Sequence, residues 1–423
     1  MLNELSLSRR HLIAAGATGM AALAAAQELP PPTPTDIGNT TGSRVDFPAW
    51  TAPTERPTGG PPNPMPFEKR VGFAVVGLGR LSLENILPAF AHTEKARPVA
   101  LVSGTPDKAK TVAAQYGIKP EAIYSYEKFE DIRNNPDIAA VYIVLPNAMH
   151  KEFVLRAAKA GKHVFCEKPM ATSSADAKQM VEACRSAGKF LMIAYRCQYE
   201  PYNRKVIELL RQRKYGTAKL IRAVNVQNMA APEQWRLKKV MAGGGSLPDV
   251  GIYCLNAARY LTGEEPVEIN AQIYTTPNDS RFREVEETVS FSLRFPSGVI
   301  ADCATSYGMH ESRYLHVHTD AGNFQLENAF AYEGQQLRVA HRDGKAESLD
   351  QVRLGQKNQF ALELDHMADC ILNNRRPHTP GEEGLQDHVL MEAIYRSASM
   401  KRPVSLPQVE GRDVTRGPAP EES

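Results

Sequence analysis

From about residue 68 the chain alternates short, wholly apolar runs with amphipathic stretches. The runs are "VGFAVVG" (71–77), "VALVSG" (99–104), "AAVYIVLP" (139–146), "HVFCEKP" (163–169) and "KFLMIAYR" (189–196). None shows polar alternation, so each is predicted to be a strand buried on both faces, as in a parallel sheet covered by helices. Helices are predicted between them: from about Ser82, after Thr105-Pro106-Asp107, through "KEFVLRAAKAG" (151–161), and through "SSADAKQMVEACRSAG" (173–188). At the second of these, Thr105 is expected to cap, Pro106 to sit at the first helical position, and Asp107 to face the helix dipole.

Beyond about Arg196 the rhythm changes. "LIRAVNVQN", "EINAQIYTT", "TVSFSLRF", "VIADCATSY", "RYLHVHT" and "FQLEN" are strand-like runs joined at places by short hairpin turns such as "PSG" and "DAGN". They predict a mostly antiparallel sheet. Helices over roughly Gln359–Asn373 and Glu383–Met400 close the chain. The expected fold class is α/β: an N-terminal parallel-sheet domain, then an α+β domain built on a large, mostly antiparallel open sheet.

The first 67 residues follow neither pattern. Ser8-Arg9-Arg10 precedes an apolar run from Gly16 to Ala26 that ends in "ALAAAQ". The run is much shorter than the roughly 20 residues that span a bilayer, and its order of charge, apolar core and small residues fits a twin-arginine signal peptide. Cleavage is expected after Ala26, with Ala24 as the alternative. This predicts a periplasmic protein exported folded, with no stable membrane insertion afterwards. Residues 27–67 contain eleven prolines and few large apolar side chains, so they are expected to be extended, either as a loose linker or as an arm laid over a folded surface. The resulting division is 1–26 signal, 27–67 proline-rich arm, 68–195 nucleotide-binding domain, 196–408 α+β domain and 409–423 flexible tail.

Composition excludes several classes. The net charge is +2 in 423 residues, with Lys and Arg scattered, so nucleic acid is not an expected partner. Six cysteines (Cys166, Cys184, Cys197, Cys254, Cys303, Cys370) have no metal-like spacing and read as buried free thiols. His310, His316 and His318 have no acidic partner at a recognisable spacing, so they read as strand-surface histidines and no metal site is expected.

Two segments carry candidate chemistry. Gly77-Leu78-Gly79-Arg80-Leu81-Ser82 lies where the first strand turns into the first helix. There Gly77 permits a tight turn and Gly79 lets backbone approach a pyrophosphate, although Ser82 replaces the third glycine of the full fingerprint. The second strand ends at Ser103 with no acid to hold a ribose 2′-hydroxyl. Ser103, Lys108 and Arg80 would instead attract a 2′-phosphate, which favours NADP, with NAD as the alternative. Glu167-Lys168-Pro169 ends another parallel strand, where open α/β sheets bind ligands. Asp249 and Tyr253 lie four residues apart at the start of a predicted helix, after glycines 243–245 that would let backbone approach a ligand; Asp249 also fits an N-cap.

The motifs "SGTPDKAK", "LPNAMH", "AGKHVFCEKPMATS" and "GGGSLPDVGIY", with the first-strand GxG, resemble the Gfo/Idh/MocA oxidoreductases over residues 68–405. Within that family Tyr253 matches the glucose–fructose and aldose–aldose oxidoreductase branch, where many members have His. The resemblance implies a Rossmann domain and hydride exchange with sugars. It assigns Tyr253 as the proton-transferring residue, with Lys168 and Asp249 completing the site. An ammonium beside Tyr253 would favour its phenolate. By resemblance Tyr126, Leu145, Pro146, Asn147, His150, Glu167, Arg196, Trp235, Arg236 and Tyr332 contact the cofactor, together with Leu81 of the loop. Arg80, Leu81, the surroundings of Tyr332 and the segment 227–232 depart from the close pattern, which leaves the sugar open.

The expected function is transfer of hydride from an aldose to a second sugar on tightly held NADP. The alternatives are a sugar dehydrogenase with exchangeable NAD(P) and an exported NAD-dependent glycosidase. The expected partners are monosaccharides and further copies of the chain, in a dimer or tetramer with the arm contacting a neighbour.

Overall fold

The computed structural model describes residues 33–42, 44–55 and 62–420. The signal peptide expected at 1–26 lies outside the described residues. The chain divides into two compact units, 1–63 and 64–423. The described part of the first is not wholly extended, as its prolines suggest. It contains a helical turn, Pro34–Ile37, and a small antiparallel hairpin, Asn39–Thr41 with Arg44–Asp46. The Asp36 carboxylate anchors that turn by accepting hydrogen bonds from the Thr33 amide (2.9 Å) and hydroxyl (2.7 Å).

The second unit opens with a six-stranded parallel sheet. Its strands are β1 (Val71–Val76), β2 (Ala96–Val102), β3 (Ile123–Tyr124), β4 (Ala140–Ile143), β5 (His163–Cys166) and β6 (Leu191–Ile193). Their spatial order is 3-2-1-4-5-6, the doubly wound Rossmann arrangement, with its switch point between β1 and β4. Every residue of β1 and β4 is buried, which explains their unbroken apolar sequence. The connecting helices include α1 (Pro106–Gln115), α2 (Asn147–Lys159) and α3 (Ser174–Ser186). Ser173 caps α3 by accepting from the Asp176 amide, whereas Thr105 makes no side-chain cap on α1. The first helix, expected from Ser82, begins as a π-helical turn over Ser82–Ile86.

After α4 (Pro201–Arg211) the chain builds a nine-stranded sheet from β7 (Ala218–Asn228), β8 (Glu268–Tyr274), β9 (Thr288–Arg294), β10 (Ile300–Ser306), β11 (Gly308–Thr319), β12 (Gly322–Glu327), β13 (Gln336–Asp343), β14 (Ala346–Val352) and β15 (Val404–Ser405). The order is 14-13-12-11-7-10-9-8-15, antiparallel throughout except between β7 and β10. Helix α5 (Ile252–Thr262) packs on β7 and β10.

The last two helices, α6 (Gln359–Leu372) and α7 (Gly381–Met400), return to the Rossmann sheet. Helix α6 packs on β1 and β2, and α7 on α3 and β6. The Rossmann core is therefore completed by residues almost three hundred positions downstream of its first strand.

The segment 409–423, expected to be a flexible tail, is fastened down through residue 417. Arg416 is buried and donates to Glu383 at 2.9 Å, while Gly417 N–H donates to His378 O at 2.9 Å. Glu383 also faces Arg259, which in turn pairs with Glu265 (2.7 Å) and Asp387 (2.6 Å); all four side chains are at most 3% exposed. Three buried carboxylates set against Arg259 alone would be strongly unfavourable, and Arg416 supplies the second cation. Removing one partner of a buried pair typically costs about 3–5 kcal/mol. Arg416→Ala should therefore lower stability by that order in urea denaturation; a loss below about 1 kcal/mol would show that the tail is not structural.

Candidate active site

The register of the parallel sheet lines up the residues that follow each strand. Val102 pairs with Val76, Val76 with Ile143, Ile143 with Cys166, and Cys166 with Ile193. Ser103, Gly77, Val144, Glu167 and Ala194 therefore stand in one row along the carboxyl edge of the sheet. This is where an α/β sheet receives a dinucleotide.

Gly77 has φ +94°, and a Cβ there would come within 2.4 Å of Val144 O, so glycine is required. A Cβ on Gly79 would meet nothing within 4 Å, which leaves space for a ligand beside the loop. Ser82 explains the missing third glycine: its buried hydroxyl donates to Gly77 O at 2.6 Å and ties the helix start to the turn. Arg80 and Lys108 are exposed, and Arg80 pairs loosely with Glu84 at 3.5 Å. Ser103 is buried and accepts from the Thr105 amide, while Tyr126 packs beneath Gly104. Leu81 is half-buried against the core.

Some residues assigned to cofactor contact also hold the loops. Asn147, at the start of α2 after Leu145-Pro146, donates to Ala242 O at 2.8 Å. His150 is fully buried, with its ring nitrogens facing the carbonyls of Leu145 (2.8 Å) and Pro169 (3.0 Å); burial keeps its pKa below the usual histidine value. It thus joins the two loops that flank the site. Glu167 is also buried and accepts from the Tyr142 hydroxyl at 2.7 Å and the Lys168 amide at 3.2 Å.

The centre of the site is the Asp249 carboxylate. Lys168 donates to its Oδ1 at 3.2 Å and to its backbone carbonyl at 2.7 Å; the Lys168–Pro169 peptide is cis. Arg236 Nε lies 3.2 Å from Oδ2, and the Tyr307 hydroxyl donates to Oδ2 at 2.7 Å. Burial alone would raise the Asp249 pKa, but Lys168, Arg236 and Tyr307 hold it well below the usual carboxylate range. The carboxylate is therefore a fixed anion with both oxygens engaged, not a helix cap. Its local backbone is a π-helical turn, Leu247–Gly251, that runs into α5 and sets Asp249 and Tyr253 toward Lys168. The Lys168 ammonium stands 4.8 Å from the Tyr253 ring centroid.

Arg196 lies over both Tyr253 (4.8 Å) and Tyr332 (4.6 Å). It is buried and donates to Phe330 O at 2.6 Å, Ala331 O at 3.1 Å and the Gln359 side chain. Tyr332 remains 46% exposed, and Trp235 stacks under Arg236 at 4.5 Å. The Lys168 ammonium favours the Tyr253 phenolate as expected, but it does not decide the net shift. Burial is the larger influence and leaves the phenol above its ordinary value, although Arg196 and then Lys168 pull it down.

Sequence reading missed three supports. Tyr307 directly follows β10, with no motif around it. Glu286 accepts from the amides of Gly245 (2.8 Å) and Leu247 (3.0 Å) and from the Tyr395 hydroxyl (2.9 Å). Gln359, at the start of α6, accepts from Arg196. Glycines 243–245 serve this packing rather than a ligand. A Cβ on Gly244 would come 2.1 Å from the Tyr395 hydroxyl, and one on Gly245 2.1 Å from Glu286 O. His316 pairs with Glu327 at 2.7 Å on the sheet. Among the described residues no group of three or more His, Cys, Asp or Glu side chains could hold a metal, and no helix is long and apolar enough to cross a membrane.

Comparison with known proteins agrees with this geometry. The profile described as "Oxidoreductase family, NAD-binding Rossmann fold" matches residues 71–195, and "GFO/IDH/MocA C-terminal domain" matches residues 203–325. The chain belongs to the Gfo/Idh/MocA oxidoreductase family. A D-xylose 1-dehydrogenase [NADP(+)] of Haloarcula marismortui is 32% identical over 342 residues, covering 79% of this chain and 93% of that protein. The crystal structure of an aldose-aldose oxidoreductase from Caulobacter crescentus, complexed with glycerol, is similar with a TM-score of 0.77 and 44% identity; the match covers 80% of this chain and all of that one. A levoglucosan dehydrogenase in complex with NADH and L-sorbose has the same fold, with a TM-score of 0.71 at 22% identity over 81% of this chain and all of that one.

The Asp249 hub yields a direct expectation. Tyr307→Phe deletes one hydrogen bond to a buried charge, which is worth about 1.5–3 kcal/mol. It should lower the thermal midpoint accordingly while leaving the far-ultraviolet circular dichroism unchanged. An unaltered midpoint would place Tyr307 outside the hub.

Proposed function

We propose that this protein is an NADP-dependent sugar oxidoreductase that keeps its cofactor through the catalytic cycle. One sugar is oxidised and a second, aldose or ketose, is reduced in a ping-pong exchange. The observation that carries this reading is Tyr253, half-buried and flanked by Lys168 and Arg196, at the carboxyl edge of a Rossmann sheet. The 44% identity to an aldose-aldose oxidoreductase supports the same reading.

The strand-edge row and the open face of Gly79 fit a dinucleotide, and Ser103, Lys108 and Arg80 are the groups that would meet a 2′-phosphate. When bound, that cofactor supplies the hydride chemistry. The chain's own residues manage the proton. Tyr253 accepts it from the sugar hydroxyl when a sugar is oxidised and returns it when a carbonyl is reduced. Asp249 stays ionised and fixes Lys168 and Arg236 in place. Lys168 offers its remaining N–H groups to the sugar oxygen. Retention at nanomolar affinity corresponds to about −12 kcal/mol of binding free energy.

The second reading, a sugar dehydrogenase with exchangeable NADP, is favoured by the 32% identity to D-xylose 1-dehydrogenase. The two diverge in one experiment. Purified protein that releases NADP only on denaturation, seen by mass spectrometry, and turns over a sugar pair without added nucleotide is the expected result. Steady turnover only with added NADP would assign the dehydrogenase. Tyr253→Phe should retain nucleotide while losing about 10²–10⁴ in turnover; near-normal activity would remove Tyr253 from the reaction.

Export in the folded state by the twin-arginine route, with cofactor loaded beforehand, is part of this proposal, because a closed hydride cycle needs no external NADP. So is assembly into a homo-oligomer through the open face of the nine-stranded sheet, with residues 27–67 reaching a neighbour. Deleting 27–67 should reduce the assembly size in light scattering; an unchanged mass would count against the arm's role.

A further inference from the structure

Two cations stand at the same distance from Tyr253. The Lys168 ammonium and the Arg196 guanidinium carbon each lie 4.8 Å from its ring centroid. Their own surroundings differ. Lys168 is paired with the Asp249 carboxylate 3.2 Å away, an anion that offsets part of its field. The second cation on that carboxylate, Arg236, lies on its other oxygen.

Arg196 has no such partner. Its hydrogen bonds go to neutral acceptors, the carbonyls of Phe330 and Ala331 and the Gln359 side chain, and its Nε makes none. Three carboxyl groups lie within its electrostatic reach, and none forms an ion pair with it. Glu167 is bonded to the Tyr142 hydroxyl and Lys168 amide, and Glu200 caps α4 through the amides of Tyr202 and Asn203. Glu363 is 1% exposed, neither of its oxygens has a hydrogen-bond partner, and burial pushes its pKa well above the carboxylate range. The remaining groups facing Arg196 are Tyr332 and Cys197, and burial pushes the Cys197 thiol up to about 11.

An uncompensated cation held against a phenol in a poorly solvated site acts on that phenol's ionisation far more strongly than a paired one. We propose that Arg196, rather than Lys168, supplies the positive charge that stabilises the ionised form of Tyr253, and so sets the pH at which the site can accept a proton. Arg196 is then a positioning residue acting through Tyr253, not a clamp over the cofactor. Burial raises the Tyr253 phenol, and Arg196 stands ahead of Lys168 among the charges that lower it. The proposal rests on the reading of Tyr253 as the proton-transferring group for its consequence, but its measurement does not.

The test is a near-ultraviolet tyrosinate titration of the purified protein, with the curve of Tyr253→Phe subtracted to isolate one phenol. In Arg196→Gln the Tyr253 midpoint should rise by about one unit or more, with Arg196→Lys restoring part of the shift. The acidic limb of the rate profile for sugar oxidation should move to higher pH by the same amount, because less phenolate is then present at a given pH. The double variant Lys168→Met/Asp249→Asn removes a cation together with its anion and should move the midpoint by less than about half a unit. A larger shift in the double variant, or none in Arg196→Gln, overturns the proposal. If Arg196→Gln does not fold, the double variant decides alone. Full activity in Tyr253→Phe would instead defeat the catalytic reading and leave the titration result standing.

Discussion

A carboxylate removed from water must be surrounded by donors or lose its charge. Asp249 meets that demand with donors from three other parts of the chain. Lys168 comes from the end of β5, Arg236 from the loop after β7, Tyr307 from the end of β10, and the carboxylate itself from the π-helical turn before α5. The Rossmann sheet and the large sheet are therefore registered to each other at the point where a substrate must meet a nicotinamide ring. Only when both halves are correctly folded do Lys168 and Tyr253 stand 4.8 Å apart.

A second buried charge cluster lies behind the first. Asn256, one turn after Tyr253 on α5, donates to Glu383 and Asp387, and Gln198, two residues after Arg196, donates to Asn256 and Glu383. Residues close in sequence to Arg196 and Tyr253 thus belong to the Arg259–Arg416 network. Such a network is costly when incomplete and rigid when satisfied. It holds α5, and with it Tyr253, in one orientation relative to α7.

The parallel sheet was legible because burial on both faces leaves wholly apolar runs, and its strand ends carry the GxG and Glu-Lys-Pro motifs. The hairpin of β13 and β14 was not. One face carries Arg338, Arg342 and Glu347, and Asp350 stands opposite Val339 on the other, which dilutes the apolar alternation until it resembles a loop. Lys168, Asp249 and Tyr253 were visible through their spacing and neighbours. Tyr307 and Glu286 were not, because each acts through one atom on a distant backbone or carboxylate and leaves no local pattern. The sign of the Tyr253 shift also lies beyond sequence, since it depends on how far burial outweighs two cations.

The return of α6 and α7 to the Rossmann sheet has a consequence for how the protein comes into being. Strands β1 and β2 emerge from the ribosome early, yet the helix that covers them begins at Gln359, and the cation that balances the Glu383 cluster arrives at residue 416. Closing contacts over so long a stretch of chain is slow and leaves apolar surface open meanwhile. Strands β1 and β2 therefore stay without the helix that covers them until the chain has been made through α6.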